Sequence, residues 1–236
     1  MAKTVHIVGP GRAGRSFAGA LGEVGWDVVA LSGRQESVAG AAQHVDLVLI
    51  TTPDGAIGAV ADAIEPGPAV VAHAAGSLGL EILGQHRRRA AIHPLISLPS
   101  PDVGVARLLA NGWFGIAGDE LAAVVVDDLG GRFFTVADEH RTLYHAAACV
   151  AANHVVALLG QVERLAAEVG VPIEAYQELT HGSLDAVDQL GAAAALTGPA
   201  ARGDRDTIAR HIEALPDSEV PLYEALVAEA RRLAAS

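Results

Sequence analysis

What this chain is short of narrows its chemistry first. One cysteine in 236 residues means that no disulfide can close within it and no thiolate cluster can hold a metal. The sole lysine is Lys3, ahead of the first apolar run, whereas arginines are plentiful. A mechanism that needs an active-site lysine is thereby nearly excluded. Aromatic residues make up only 4%, and the formal net charge is −12. A phosphate-backbone partner needs a basic face, and Arg87-Arg88-Arg89 is no more than a solvated turn, so no nucleic acid is expected. The best apolar run, Ala146–Ala152, is stopped by Asn153-His154, far short of the roughly 18 residues that suggest a membrane span. No basic region with an apolar segment after it precedes the first strand. The expectation is a soluble, cytoplasmic protein without a membrane partner.

What is present begins at Thr4–Leu21, TVHIVGPGRAGRSFAGAL. A β-branched run leads into Gly9-Pro10-Gly11-Arg12-Ala13-Gly14, after which Phe17, Ala20, Leu21 and Val24 recur at helical spacing. Strand, Gly-x-Gly-x-x-Gly, helix is the dinucleotide-binding fingerprint. Gly9 permits the tight turn, Gly11 lets the backbone approach a pyrophosphate, and Gly14 lets helix and strand pack closely. Free N–H groups at the helix start then receive the phosphates.

The second strand, Trp26–Leu31, ends at Ser32-Gly33-Arg34. An acidic residue about 20 positions beyond the glycines would bind the adenine ribose 2′-hydroxyl. Here a hydroxyl and a guanidinium stand in that region, which favours a 2′-phosphate and therefore NADPH/NADP+ over NADH. Further strands are expected at Val45–Thr51, Ala69–Ala74, Ala90–His93 and Trp113–Ala117, with helices at Gly55–Ile64 and Glu120–Leu129. Alternation of this kind implies a doubly wound parallel sheet of the α/β Rossmann type, with ligands beyond the carboxyl ends of the strands. Thr51, Thr52, Pro53, Ser77 and His93 fall at those ends.

From Ala137 the strand signal stops. Asp138–Val169 reads as one long helix ended by Gly170-Val171-Pro172. Helices follow at Ile173–Gly182, Leu184–Ala195, Arg205–Leu215 and Leu222–Ala234. The expected organisation is a cofactor domain at 1–136 and a smaller all-α domain at 137–236. Its alanine- and leucine-rich helices suit a homodimer interface. On the long helix His145, Cys149 and Asn153 share one face at i, i+4, i+8. His145 can supply a proton near neutral pH, and Asn153 can donate to a carbonyl oxygen. In Ala195–Asp204, Asp204 caps the next helix, while Thr197 and Arg202 are left for substrate or cofactor. There is no His-Glu-x-x-His, and no metal site is expected.

The glycine turn, the His93-Pro94 pair, Tyr144-His145-Ala146-Ala147-Ala148 running into Asn153, and Leu196-Thr197-Gly198-Pro199-x-x-Arg202-Gly203-Asp204 together resemble one family. It is the two-domain family of a Rossmann-like NADP-binding domain followed by a helical DUF2520 domain. It lies within a superfamily that includes 6-phosphogluconate dehydrogenase, pyrroline-5-carboxylate reductase and ketopantoate reductase. The resemblance implies an NADP-dependent oxidoreductase acting on a small oxo acid or related carbonyl compound, similar to the alternative ketopantoate reductases. Reduction of a cyclic imine and a non-catalytic NADP-binding dimer are the alternatives. Two departures stand out. The superfamily's oxo-acid branches carry Lys-x-x-x-Asn where this chain begins with His145, followed by Cys149 and then Asn153, so His145 stands in as proton donor. Ile96 also replaces the glutamine often found after His-Pro.

Overall fold

The computed structural model describes residues 2–235. In the first part, strands β1 (Thr4–Val8), β2 (Asp27–Ser32), β3 (Leu47–Ile50), β4 (Val70–His73), β5 (Arg89–Pro94), β6 (Trp113–Gly118) and β7 (Arg132–Thr135) form one sheet in the order β2-β1-β3-β4-β5-β6-β7. Four helices pack with it: α1 (Arg12–Glu23), α2 (Asp54–Ala63), α3 (Pro101–Leu108) and α4 (Leu121–Asp128). Every neighbouring pair is parallel except β5 and β6. Two details differ from the sequence expectation. β6 is not the last strand, because the short Arg132–Thr135 adds a parallel β7, and the sheet is mostly rather than wholly parallel. The β5–β6 connection runs through the eight-residue α3 and brings the chain back antiparallel.

β3 explains why the central strands read as unbroken apolar runs. Leu47 and Leu49 belong to the core under α1, α3 and α4, whereas Val48 and Ile50 belong to the core under α2. A strand covered on both faces has no solvent side to keep polar. α1 buries Phe17, Ala20 and Leu21 on the first of these cores. Lys3 donates to Asp128 at 2.7 Å beside the indole N–H of Trp26, at the amino ends of the strands. The one lysine is thus taken by a structural ion pair at the end opposite to where ligands bind in such sheets.

The helical part comprises α5 (Arg141–Cys149), a π-helical turn at Val150–His154, then α6 (Val155–Val169), α7 (Ile173–Leu190), α8 (Ala192–Ala195), α9 (Arg205–Ala214) and α10 (Val220–Ala234). The long helix is present but widened in its middle. α7 runs on through Gly182, where a break was expected, and ends at Gly191, whose φ of 79° a side chain rarely adopts. Contacts divide the chain into two compact units between Asn153 and His154. The first unit keeps α5 with the sheet. In the second, Arg164 makes a two-point ion pair with the Glu219 carboxylate at 2.6 and 2.9 Å, and Gln161 donates to the Glu219 carbonyl.

The continuous helical stretch Asp138–Val169 has a mean hydropathy of 1.4 over its most apolar window. By length and composition alone it is long enough to cross a membrane, a test that a helix of a soluble protein also passes.

Candidate functional site

The sheet reverses direction of winding between β1 and β3, and a cavity of about 550 Å³ opens there. Switch points of this kind are where open α/β sheets bind ligands. Its lining includes Gly9, Pro10, Gly11, Ser32, Gly33, Arg34, Thr51, Thr52 and Pro53, so loops from three strand ends meet there. Arg12, Ala13 and Gly14 form the first turn of α1 instead, whose N–H groups have no acceptor within the helix.

The three glycines divide their work. Gly9 has φ 114°, and a Cβ there would sit 2.8 Å from the backbone of Thr51 and Thr52. A Cβ on Gly14 would collide with the Gly9 carbonyl oxygen and lie 2.6 Å from Thr51 Oγ1. A Cβ on Gly11 would meet no atom within 4 Å, so the turn leaves open space beside its backbone. Thr51 donates its hydroxyl to the Gly9 carbonyl at 2.8 Å and so pins the glycine turn to β3. The Thr52 hydroxyl beside it is buried and has no hydrogen-bond partner among the described residues. An open glycine, an unfilled hydroxyl and a free helix N-terminus fit the pyrophosphate and ribose of a dinucleotide.

At the Ser32 end, the serine hydroxyl lies 2.8 Å from His6 Nε2, and burial lowers the His6 pKa against the opposing pull of Glu36. The Gly33 N–H donates to the Glu36 carboxylate at 2.5 Å. Glu36 lines the cavity and was missed in the sequence, because it lies in a loop with no periodicity, beyond the position where an acidic residue was sought.

A second cluster forms at the ends of β4 and β5. Tyr144 of α5 approaches His93 Nδ1 at 2.6 Å, and the His145 ring stands edge-on to His93 with centroids 5.6 Å apart. Both imidazoles close on Gly76, where a Cβ would strike His145 Nδ1 and lie 2.8 Å from His93 Nε2. Burial, then the neighbouring His145 and Arg141, lower the His93 pKa to about 4, so this ring is neutral at physiological pH. Burial likewise raises the Tyr144 pKa. His73 is fully buried. Its Nε2 faces the Gly79 carbonyl at 3.3 Å, which can only accept, so Nε2 carries the proton and Nδ1 is a bare acceptor. Cys149 Sγ lies 3.7 Å from His145 Nε2.

The remaining predicted residues fall elsewhere. Ser77 donates to Asp54 at 2.8 Å, tying the end of β4 to α2. Asn153 is exposed and lies in the π-helical turn, so it does not hold the regular α-helical position that its spacing implied. π turns recur at functional sites. Thr197 and Arg202 belong to the second unit, between α8 and α9. Asp204 caps α9 as expected, accepting from the Thr207 N–H at 3.0 Å. His73 and Arg141 were passed over because nothing in their neighbours' spacing marks them. Among the described residues no group of three or more His, Cys, Asp or Glu side chains is arranged to hold a metal ion.

The fold is that of a Rossmann-type α/β unit followed by an all-helical unit. The family model described as "Domain of unknown function (DUF2520)" matches residues 114–230. Among solved structures, the chain is similar to a proposed NADP oxidoreductase of Bacteroides fragilis at 18% identity, with 98% of each chain covered and a TM-score of 0.81. A protein of Thermotoga maritima aligns at 26% identity over 98% of each chain with a TM-score of 0.74. The pyrroline carboxylate reductase of Plasmodium falciparum, solved with NADP bound, aligns at 13% identity over 98% of each chain with a TM-score of 0.62. These likenesses establish the fold over nearly the whole length. No curated protein matches the chain significantly in sequence.

Proposed function

We propose that this protein is an NADPH-dependent oxidoreductase that reduces a small oxo acid or related carbonyl compound, of the ketopantoate type in the first instance, as a cytoplasmic homodimer. The observation that carries the reading is the meeting of the open Gly11, the unfilled Thr52 hydroxyl, Ser32 and Arg34 in one cavity at the switch point of the sheet. The cofactors named for the Bacteroides and Plasmodium structures support the same choice.

NADPH supplies a hydride when bound. The Gly9–Gly11 backbone and the first turn of α1 would hold its pyrophosphate, and Ser32 and Arg34 would take the 2′-phosphate. His145 gives a proton to the substrate oxygen, directly or through water, and Asn153 donates a hydrogen bond to the substrate. The neutral His93, held by Tyr144, fixes the His145 ring against Gly76. Replacing His145 with alanine is expected to lower the turnover of a 2-oxo acid about 100-fold with NADPH affinity within twofold. An undiminished rate would rule out the role.

The likeness to a pyrroline carboxylate reductase supports a second reading, reduction of a cyclic imine. A C=N substrate asks less of a strong acid. Substrate-panel assays with His145→Ala separate the two, since imine turnover should survive the change.

The homodimer rests on the second unit. Among its described residues only Gln161, Ala166, Ile208 and Glu219 are buried. Val156, Val169, Leu179 and Leu190 are 70, 66, 67 and 62% exposed. A helical unit with so small a core needs its apolar faces covered, and a second copy of the chain covers them.

A further inference from the structure

Arg141 opens α5 with a side chain that has no exposed surface at all. Its Nε lies 3.3 Å from an oxygen of Asp138, whose other oxygen accepts the Leu80 N–H at 3.1 Å. Asp138 itself is 43% exposed at its side chain and so is a half-solvated partner. Both terminal nitrogens of the guanidinium are buried and have no hydrogen-bond partner among the described residues. Taking a guanidinium out of water with its two outer nitrogens unmatched is among the costliest arrangements a fold can retain. Such groups persist where they serve a ligand.

The surroundings are those of the histidine cluster. Arg141 is followed by Tyr144 and His145 on the same helix, one hydrogen-bonded to His93 and the other packed edge-on against it. Asp138 touches the Gly79–Leu80 turn, and the carbonyl of Gly79 holds His73. Unmatched nitrogens recur here: His73 Nδ1, His145 Nδ1 and the two of Arg141. The charge of Arg141 also pushes down the pKa of His73 and of His93, which places the guanidinium electrostatically among these rings. The opposing carboxylates are Asp138 and Asp54, and Asp54 is already engaged by Ser77.

We infer that Arg141 is the carboxylate-binding residue of the substrate site, its two outer nitrogens taking both oxygens of an acid substrate beside His73, His93 and His145. Paired N–H donors in a fixed plane match a carboxylate in two-point fashion, which a lysine cannot reproduce. The inference rests on the reductase reading for the word substrate, but the anion site stands on its own geometry. Arg202, the arginine singled out in the sequence, is exposed and carries no comparable demand for an anion.

The test compares wild type, Arg141→Met and Arg141→Lys, with oxalate as a dicarboxylate probe and sulfate as an inorganic one, at constant ionic strength. Oxalate, added in the presence of NADP+, is expected to raise the melting temperature of wild type through linkage. It should do so much less for Arg141→Lys and not at all for Arg141→Met. Without any anion, Arg141→Met should melt no lower than wild type, because the charge it removes is fully buried with both outer nitrogens unmatched and only a half-solvated partner at Nε. KM for a 2-oxo acid should rise at least tenfold in Arg141→Met, with NADPH affinity unchanged by fluorescence titration. Equal oxalate shifts in all three proteins, no shift in wild type, or failure of both variants to fold would each overturn the assignment in favour of a structural role. A sulfate shift as large as that of oxalate overturns the substrate carboxylate in favour of a free inorganic anion. Loss of the reductase reading shows separately, as absent NADPH binding with the oxalate response intact.

Discussion

Tyr144 Oη and His93 Nδ1 lie 2.6 Å apart, and this one contact joins the first helix after the sheet to the end of β5. It fixes the position of His145, the next residue, against Gly76. It also makes a prediction about pH. The folded state holds His93 at about 4, below the ordinary value of 6.5, so the unfolded chain binds more protons between those values. Stability should therefore be complete above about pH 6.5 and fall as the pH drops toward 4, by up to about 3 kcal/mol from this residue. His73, lowered in the same direction, adds to the slope. Urea melts from pH 4 to 8 on wild type and His93→Asn check it. An unchanged slope in the variant would mean that the burial of His93 is not the cause.

The glycine turn separates a packing role from a binding role. Gly14→Ala must push a methyl group against the Gly9 carbonyl and Thr51. A loss of about 2–3 kcal/mol of stability is expected, with loss of cofactor binding following from it. Gly11→Ala meets nothing in the protein, so its stability should stay within about 1 kcal/mol of wild type. Its NADPH affinity should nevertheless drop at least tenfold, because the methyl group enters the space left for the pyrophosphate. Thermal melts and fluorescence titration of the two variants side by side decide this. Equal effects of both on stability would contradict the division.

Glu36 competes for the place where a 2′-phosphate would bind, since its carboxylate already takes the Gly33 N–H. Removing the charge in Glu36→Gln relieves a repulsion of about 1 kcal/mol. NADPH should bind about fivefold more tightly and NADH about as before. Equal gains for the two cofactors would move the role of Glu36 away from the phosphate.

Sedimentation velocity at micromolar concentration should give twice the chain mass of 24.1 kDa. Leu179 and Leu190 stand exposed on α7, and a Leu179→Lys, Leu190→Lys pair is expected to shift the protein to monomer. A monomeric wild type would leave the apolar faces of the second unit to some other cover.

Much of what lines the cavity at the β1–β3 switch point is marked in the sequence. Gly9, Gly11, Ser32, Thr51 and Thr52 are marked by short-range pattern: a strand period of two, a turn that needs glycine, a helix period of 3.6. Such patterns arise because backbone geometry and one-sided burial act over a few residues. β7 escaped because Arg132–Thr135 is four residues long, and Arg132, Phe133 and Thr135 are exposed, so it lacks an alternating signature. The reversal at β5–β6 escaped because strand direction depends on where a connection returns, not on the strand's own residues. The π-helical turn at Val150–His154 left no mark, since its residues suit an α-helix equally well.

The alternation of the first strands and helices, the glycine turn, the Asp204 cap and the lack of a usable lysine therefore belong to the chain as written, being properties of neighbours or of composition. The meeting of Tyr144, His145 and Arg141 with His73 and His93 does not. Those five come from two strand ends and a helix nearly fifty residues further on, and each looks ordinary among its own neighbours. Folding alone withdraws Arg141 from water and leaves its two nitrogens unmatched. Burial and charge pairing act through space, so they exist only once distant segments have packed.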